Sequence, residues 1–175
     1  MTDFIGFRSI PRLMRDCVIT EKIDGTNAQV AIGEDGTIYA GSRNRWITPE
    51  DDNHGFAAWV RDHADELKAL GPGRHFGEWW GCGINRNYGI KEKRWSLFRP
   101  YDPRPVCCSQ VPVLYEGLFT TSAVLATLEK LAVSGSLAAP GFMNPEGIVV
   151  FHIAGNCSFK VTIGNDGHKG EKRVQ

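Results

Sequence analysis

The chain has 175 residues, of which 42% are hydrophobic and 23% are charged, and its 20 basic residues balance its 20 acidic residues. That length allows one domain with a substantial core, and zero net charge argues against a protein that coats nucleic acid by bulk electrostatics. The chain has no apolar run long enough for a membrane helix, no signal-peptide core at its N-terminus and no C-x-x-C pair among its cysteines, so we expect a cytoplasmic protein without a disulfide framework or a zinc site.

The first half of the chain predicts three strands followed by a helix. The strands are residues 17–21, 26–32 and 37–42. A turn at Asp35-Gly36 joins the second strand to the third, because Asp-Gly between alternating apolar residues is a hairpin signal. Apolar side chains recur at helical spacing over residues 54–70, and Gly71-Pro72 ends that helix.

The second half predicts mostly strands. They are residues 74–80, 95–99, 111–118, 147–153 and 157–163. Pro112 predicts an edge position for its strand, since proline cannot donate a hydrogen bond to a neighbour. A helix is predicted over 121–133, opened by Thr121 or Ser122 and ended near Gly135. This order predicts an α+β domain over residues 1–163, with mostly antiparallel sheets flanked by helices, and a polar flexible tail over 164–175.

A glycine-rich stretch over residues 81–89 invites comparison with phosphate-binding loops. It lacks the G-x-x-x-x-G-K-[ST] pattern, and it does not open a predicted helix. We therefore expect neither a phosphate-binding loop nor a dinucleotide-binding fingerprint here.

The sharpest local feature is the stretch Glu21-Lys22-Ile23-Asp24-Gly25. A predicted strand leads into Lys22, and the Asp-Gly turn lets the backbone fold tightly around the lysine side chain. By itself, this motif fits a solvated lysine before a surface turn equally well.

Four further segments follow this motif along the chain. They are Ser42-Arg43-Asn44, Phe76-Gly77-Glu78-Trp79, Pro145-Glu146-Gly147-Ile148-Val149-Val150 and Phe159-Lys160-Val161. Together with the first motif, they resemble the ordered motif set of the covalent nucleotidyltransferases, which include ATP-dependent DNA and RNA ligases and mRNA capping enzymes. The nearest resemblance is to the RNA ligase family, in particular its phage double-strand-repair branch, over about residues 20–162. It implies a nucleotidyltransferase (adenylation) domain of the ATP-grasp-like type, present here as the catalytic domain only.

Two details resemble RNA ligases more than DNA ligases. DNA ligases typically carry an arginine at the position of Asn27, whereas RNA ligases pair an asparagine there with a later arginine, and Arg43 fits that role. Residues 83–88 also resemble the corresponding RNA ligase segment. The resemblance therefore implies an ATP-dependent RNA ligase that works in RNA repair, on nicked or duplex RNA or RNA–DNA ends.

The resemblance assigns the catalytic steps to three side chains. Lys22 attacks the α-phosphate of ATP to form a lysyl-AMP phosphoramidate, which requires a neutral amine although an ordinary lysine has a pKa of about 10.4. Lys160 lies at the α-phosphate and offsets the charge that develops during phosphoryl transfer. Glu146 helps to hold Mg²⁺ or Mn²⁺, since such cations take oxygen ligands.

The same resemblance assigns six residues to the nucleotide pocket: Glu21, Ile23, Asn27, Arg43, Glu78 and Phe98. Glu78 would bind the ribose hydroxyls, and Phe98 would stack on adenine. The alternation of side chains along a strand places Phe76 and Glu78 on one face, where the carboxylate needs a partner, and a buried salt bridge to an arginine remains the alternative. Trp95 has the opposite parity to Phe98, so only one of the two is expected to touch the base.

The chain departs from the family pattern at its end. The last motif is often Lys-x-Lys, but here it reads Lys160-Val161-Thr162, and a tail residue such as Lys169 would have to replace the missing cation. Most relatives carry a further C-terminal domain, so a separate strand-binding partner protein could be required. The open alternatives are a DNA ligase or mRNA capping guanylyltransferase on the same scaffold, and a catalytically silent nucleic-acid-binding module.

Overall fold

Two β-sheets and three α-helices make up the computed structural model, which describes residues 2–7 and 9–164. The strands are Asp16–Lys22 (β1), Thr26–Ile32 (β2), Ile38–Gly41 (β3), Trp46–Ile47 (β4), Gly73–Gly81 (β5), Lys93–Leu97 (β6), Cys108–Gln110 (β7), Val113–Leu118 (β8), Gly147–His152 (β9) and Cys157–Thr162 (β10). The helices are Phe56–Asp62 (α1), Ala64–Leu67 (α2) and Thr121–Ser134 (α3). The predicted tail, apart from Gly164, lies outside the described residues.

The smaller sheet has four antiparallel strands in the order β10-β9-β1-β8. Alternate residues of β1 and β9, among them Ile19 and Val150, are fully buried on one face, where they form a core with Leu131 of α3. The other face carries the side chains of opposite parity, which include Thr20 and Lys22 of β1. One face of the smaller sheet is therefore buried in the core, and the other face can line a cleft.

The larger sheet has six strands in the order β4-β3-β2-β5-β6-β7, antiparallel except for the pair β6 and β7. Its core face packs against α1 and α2 through large buried side chains such as Phe56, Leu67 and Trp95. Asn27, on the opposite face of β2, has the parity that points away from this core.

A third apolar cluster joins the two sheets. It consists of Ile23, Trp80, Tyr88, Val111 and Ala139, which come from the loop after β1, from β5 and from three connections. The cluster fixes the end of β1 beside β5, and this brings the free faces of the two sheets to the same region of the molecule.

The structure confirms the α+β class with mostly antiparallel sheets. It also confirms the hairpin turn, where Gly36 has φ 79° and the Gly33 N–H donates to the Thr37 carbonyl at 2.8 Å. The strand after Pro112 is an edge strand, and α3 ends at Gly135, as predicted. The ATP-grasp-like detail stays a prediction.

The prediction of one helix over residues 54–70 was wrong. The chain leaves helical geometry at His63, with φ −112° and ψ 17°, so that α1 and α2 are separate, and residues 68–70 form a 3₁₀ turn. The His63 ring stacks on the Trp59 ring, and its Nδ1 lies 2.9 Å from the Trp59 carbonyl oxygen, which also accepts from the His63 amide. At the other end, the Asp52 carboxylate accepts from two amides of the first turn of α1.

Other differences are smaller. Thr120, and not Thr121 or Ser122, caps α3, because its hydroxyl accepts from the Ala123 amide at 3.1 Å. The short strands β4 and β7 were not predicted, since two or three residues show no periodicity. Residues 82–89 form an irregular loop in which several residues have positive φ angles. No helix in the described part of the chain is long and apolar enough to cross a membrane.

Candidate active site

Lys22 and Glu146 form an ion pair at the rim of the smaller sheet. Lys22 is the last residue of β1 and pairs with Gly147, the first residue of β9, so that the antiparallel register brings Glu146 beside it. The Lys22 Nζ lies 2.6 Å from the Glu146 Oε2, and both side chains are about one-fifth exposed. The register thus places an amine and a carboxylate in contact although they are far apart in sequence.

Gly147 is the residue that allows the third strand to come close. Its φ of 155° is unfavourable for other residues, and a Cβ there would lie 2.1 Å from the Val161 carbonyl oxygen. Strand β10 therefore runs close beside β9, and the Ile163 amide that follows it donates to the Glu146 carbonyl oxygen at 2.9 Å. Only glycine fits this position, which explains the Glu-Gly dipeptide in physical terms.

The loop after Lys22 is clamped by residues 85–88. The Tyr88 hydroxyl accepts a hydrogen bond from the Asp24 amide at 2.7 Å. Asn85 donates to the Asp24 carboxylate at 2.9 Å and to the Gly25 carbonyl at 2.6 Å, and Arg86 pairs with the same carboxylate at 2.9 Å. Sequence reasoning assigned no role to these side chains, although their stretch resembles the RNA ligase segment. Together they hold the backbone that positions Lys22.

Glu78 is buried at the floor of the cleft and has well-defined partners. Its carboxylate accepts from the Gly25 amide and from the Asn27 side chain, both at 3.1 Å. Burial raises the pKa of Glu78 to about 7, although the charge of Lys22 and the two hydrogen bonds oppose the rise. Within the described residues no arginine pairs with Glu78, so the alternative of a buried salt bridge was wrong.

A small cavity of about 160 Å³ lies on the free face of the larger sheet. Gln29, Phe76 and Phe98 stand in one row across neighbouring strands, because Gln29 pairs with Phe76 and the Phe98 amide donates to the Phe76 carbonyl. All three line the cavity, and so do Asn27 and Arg43. Three of the predicted pocket residues therefore meet at one cavity.

Two further features of this row concern the predicted contact with the base and a residue that was not predicted. Trp95 is fully buried in the opposite core, as its parity required, so that Phe98 alone of the two faces the cavity. The Gln29 amide donates to the Ser42 carbonyl at 3.3 Å, while its Oε1 is buried without a hydrogen-bond partner among the described residues. A buried acceptor without a partner is costly and is expected to meet a donor when a ligand binds. Sequence reasoning missed Gln29, although its parity with Asn27 could have indicated it.

Lys160 lies on the same sheet face as Lys22. Lys160 of β10 pairs with Val149 of β9, and Val149 pairs with Thr20 of β1. Lys160 is therefore two strands away from β1, in the row of Thr20, which is two residues from the row of Lys22. Thr162 occupies the row of Lys22 itself, opposite Gly147. The register is thus compatible with a second cation near Lys22. Thr162 stands where the Lys-x-Lys pattern has its second lysine, and this position is closer to Lys22 than Lys160 is.

The side chains of Glu21 and Ile23 are placed away from the cavity. Glu21 is 1% exposed, and its carboxylate accepts from Ser136 and from the amides of Leu137 and Ala138. Ile23 is buried in the cluster that joins the sheets. The reason is strand alternation, which turns Glu21 to the face opposite Lys22. A nucleotide contact by either residue would have to use main-chain atoms, and their assignment to the pocket stays a prediction.

The larger of the two cavities, of about 540 Å³, lies elsewhere. It is bordered by α1, α2 and the strands β3 and β4, and none of the predicted site residues lines it. Volume alone would therefore mislead, and we place the candidate active site at the ion pair and Glu78, beside the sheet face that also carries Lys160.

Comparisons with known proteins identify the family of the chain. The model of the RNA ligase family matches residues 15–162, most of the chain. The chain belongs to the RNA ligase family. No curated protein sequence matches it. The family assignment confirms the resemblance to RNA ligases, which rested on the motifs around Lys22, Glu78, Glu146 and Lys160.

Solved structures of Naegleria gruberi RNA ligase share the fold of this family member. A variant with ATP and Mn has a TM-score of 0.64 at 21% identity, over 85% of this chain and 49% of that chain. The ligase with PPi has a TM-score of 0.63 at 21% identity, over 93% of this chain and 57% of that chain. An apo variant has a TM-score of 0.63 at 22% identity. The chain thus spans about half the length of the solved structures that it matches.

Proposed function

We propose that this protein is an ATP-dependent RNA ligase that carries AMP on Lys22. The observation that supports this most directly is the contact between the Lys22 amine and Glu146, near the buried Glu78 and on the sheet face that also carries Lys160. The chain belongs to the RNA ligase family, and members with the same fold have been solved with ATP or AMP and Mn. The function follows from this site chemistry, since the fold alone does not specify one.

The first step is self-adenylation. The Lys22 Nζ attacks the α-phosphorus of ATP, a nitrogen–phosphorus bond forms, the bond to the bridging oxygen breaks, and pyrophosphate leaves. Attack requires a neutral amine, so the contact with Glu146 must open and the ammonium proton must pass to solvent. Lys160 would stabilise the charge on the α-phosphate, and Glu78 would hold the ribose hydroxyls.

The residues present fit a divalent cation that is shared with the nucleotide. No group of three metal-binding side chains occurs in the described ranges, but Glu146 offers a carboxylate at the rim of the cleft. Mg²⁺ is usually held by one or two carboxylates together with substrate phosphates, and this arrangement needs no more from the protein. When bound, such a cation offsets the negative charge of the phosphates.

The later steps join two strands. AMP passes from Lys22 to a 5′-phosphate, which breaks the nitrogen–phosphorus bond and forms a phosphoanhydride. A 3′-hydroxyl then attacks that 5′-phosphate, and AMP leaves. We propose that the ends are nicked or paired in a duplex, because a neutral chain neutralises few phosphates and the template then supplies the proximity of the two ends.

Covalent labelling tests the central claim. The purified protein is incubated with labelled ATP or GTP and Mg²⁺, and label is sought on the denatured chain. We expect label from ATP that is labile to acid and stable to alkali, as a phosphoramidate is. Lys22→Ala should abolish it, whereas Lys130→Ala, an exposed lysine of α3, should not. Label from GTP alone would indicate a guanylyltransferase, and persistent label in Lys22→Ala would move the nucleophile elsewhere.

Nicked duplexes test the substrate. They differ only in the sugar beside the 3′-hydroxyl, which an RNA-specific site can sense through the 2′-hydroxyl. Faster sealing of RNA-ended nicks would support an RNA ligase, and equal sealing of all-DNA nicks would contradict it. Faster joining of free single strands than of nicks would contradict the duplex preference. Adenylated protein that joins nothing would point to a separate strand-binding partner protein and to a role in RNA repair that depends on it.

A further inference from the structure

An exposed aromatic surface continues from the candidate site across the larger sheet. Trp46 of β4 pairs with Gly41, Gly41 pairs with Gln29, and Gln29 pairs with Phe76, so Trp46 stands in the same row as the small cavity. Tyr39 and Arg74 stand in the next row, since both are opposite Ala31. We define Tyr39, Trp46 and Arg74 as the Trp46 surface.

Trp46 contacts the other two side chains, and all three are exposed to solvent. Tyr39 is 53% exposed and Trp46 is 47% exposed, with ring centroids 5.8 Å apart. The Arg74 guanidinium lies 5.6 Å from the centre of the Trp46 ring, within the range of a cation–π contact. Within residues 2–7 and 9–164, Arg74 forms no ion pair with a carboxylate. Its positive charge therefore remains available to an anion.

Packing in the hydrophobic core does not explain why Tyr39 and Trp46 lie here, because about half of each side chain is exposed. Trp46 and Tyr39 also line the cavity of about 540 Å³, whereas Arg74 does not. The Arg74 guanidinium contacts the Trp46 ring, and the cavity provides open space next to the Trp46 and Tyr39 rings. Lys68 and Arg61 stand at the helical wall of that cavity.

The Trp46 surface lies beside the small cavity but does not line it. Ser42 and Arg43 of the cavity lining belong to the same hairpin as Trp46, whereas Phe76 on the far side is three strand spacings away, or roughly 14 Å. The same row connects the two places over a continuous sheet face. A nucleic-acid strand engaged at Lys22 is long enough to reach the Trp46 surface.

We propose that the Trp46 surface binds unpaired bases of an RNA strand that overhangs the paired end joined at Lys22. A base stacks on the Trp46 ring, and Arg74 lies near the backbone phosphate. Every base has an aromatic face, so such a platform tolerates any sequence, and the cation makes binding depend on salt. The inference rests on the proposed function for its occupant, since an RNA end is what the site at Lys22 would receive.

Binding of a short single-stranded oligoadenylate tests the surface. The intrinsic fluorescence of the wild-type protein should fall on binding, because Trp79, Trp80 and Trp95 are buried and Trp46 is exposed. Fluorescence anisotropy of labelled RNA gives Kd for the variants. We expect Trp46→Leu to raise Kd about five- to a hundredfold, the range for loss of one stacked base. Trp46→Phe should restore most of the affinity, and Arg74→Gln should weaken the dependence of Kd on salt.

Two controls separate stacking from general damage. Phe4→Leu removes an exposed aromatic ring outside the surface and outside the motifs of the site, and should leave Kd unchanged. Blunt duplex RNA offers no free base inside the helix, so its Kd should not respond to Trp46→Leu. Equal Kd values for Trp46→Leu and the wild type on oligoadenylate would overturn the proposal, and so would an equal loss on duplex RNA.

Self-adenylation is measured on the same samples. If Trp46→Leu labels like the wild type while its RNA affinity falls, both the surface and the proposed function stand. If the wild type does not label but RNA affinity still depends on Trp46, the proposed function fails and the surface stands. If labelling is normal but RNA affinity is indifferent to Trp46, the surface alone fails.

Discussion

Replacing Glu78 with glutamine should change how the stability of the protein depends on pH. The carboxyl group is 8% exposed, and burial raises its pKa to about 7 from an ordinary value of 4.5. At about 1.4 kcal/mol for each pH unit, this difference corresponds to about 3 kcal/mol. Below pH 4.5 the group is protonated in both the folded and the unfolded chain, so it has no effect on stability there.

The sign follows from proton binding. Between pH 4.5 and about 7, the unfolded chain releases the proton while the folded chain retains it, so the free energy of unfolding falls as pH rises. Above about pH 7 the Glu78 carboxyl group is ionised in both the folded and the unfolded chain, so the loss of stability no longer changes with pH. The wild type should therefore lose about 3 kcal/mol from this group between about pH 4.5 and about pH 8, and Glu78→Gln should not.

Urea unfolding at several pH values, followed by fluorescence, gives the difference between the two proteins. Glutamine presents one oxygen to the two donors, Gly25 and Asn27, so it also costs about 1–3 kcal/mol at every pH. The slope of the difference with pH is the informative quantity, because that cost is constant. Parallel curves for Glu78→Gln and the wild type would refute the reasoning and would mean that Glu78 titrates normally.

Three further changes test other parts of the site. Glu146→Ala and Lys160→Ala should each slow self-adenylation by on the order of a hundredfold, the usual scale for one preorganised charge, with little change in unfolding; near-normal labelling in both would remove them from the phosphate. Tyr88→Phe leaves the Asp24 amide without its acceptor, and should cost about 1–3 kcal/mol in urea unfolding and slow labelling; an unchanged midpoint would show that the bond adds nothing. Gln29→Met keeps the shape but removes the buried acceptor, and should raise KM for ATP with kcat unchanged; an equal KM would show that no nucleotide donor meets that oxygen.

The sequence determined the local structure and the chemistry of the motifs. Alternation fixed the strand β2, whose bounds match the prediction, and glycine at position 135 fixed the end of α3. The motifs around Lys22 and Glu146 indicated a family that the comparison then showed. These features depend on neighbouring residues or on short ordered patterns, and a sequence displays both directly.

Only the tertiary structure decided which side chains meet. Glu21 adjoins Lys22 in sequence, yet strand alternation and the loop after α3 bury its carboxylate on the opposite face. Glu146 contacts Lys22 because of the antiparallel register of β1 and β9, which no local pattern reveals. Trp46 lies on a strand of two residues, too short for any periodicity, and its place beside Arg74 depends on the order of strands in the sheet. Contacts of this kind follow from pairing between distant segments, and their free energy is gained only when the whole sheet forms.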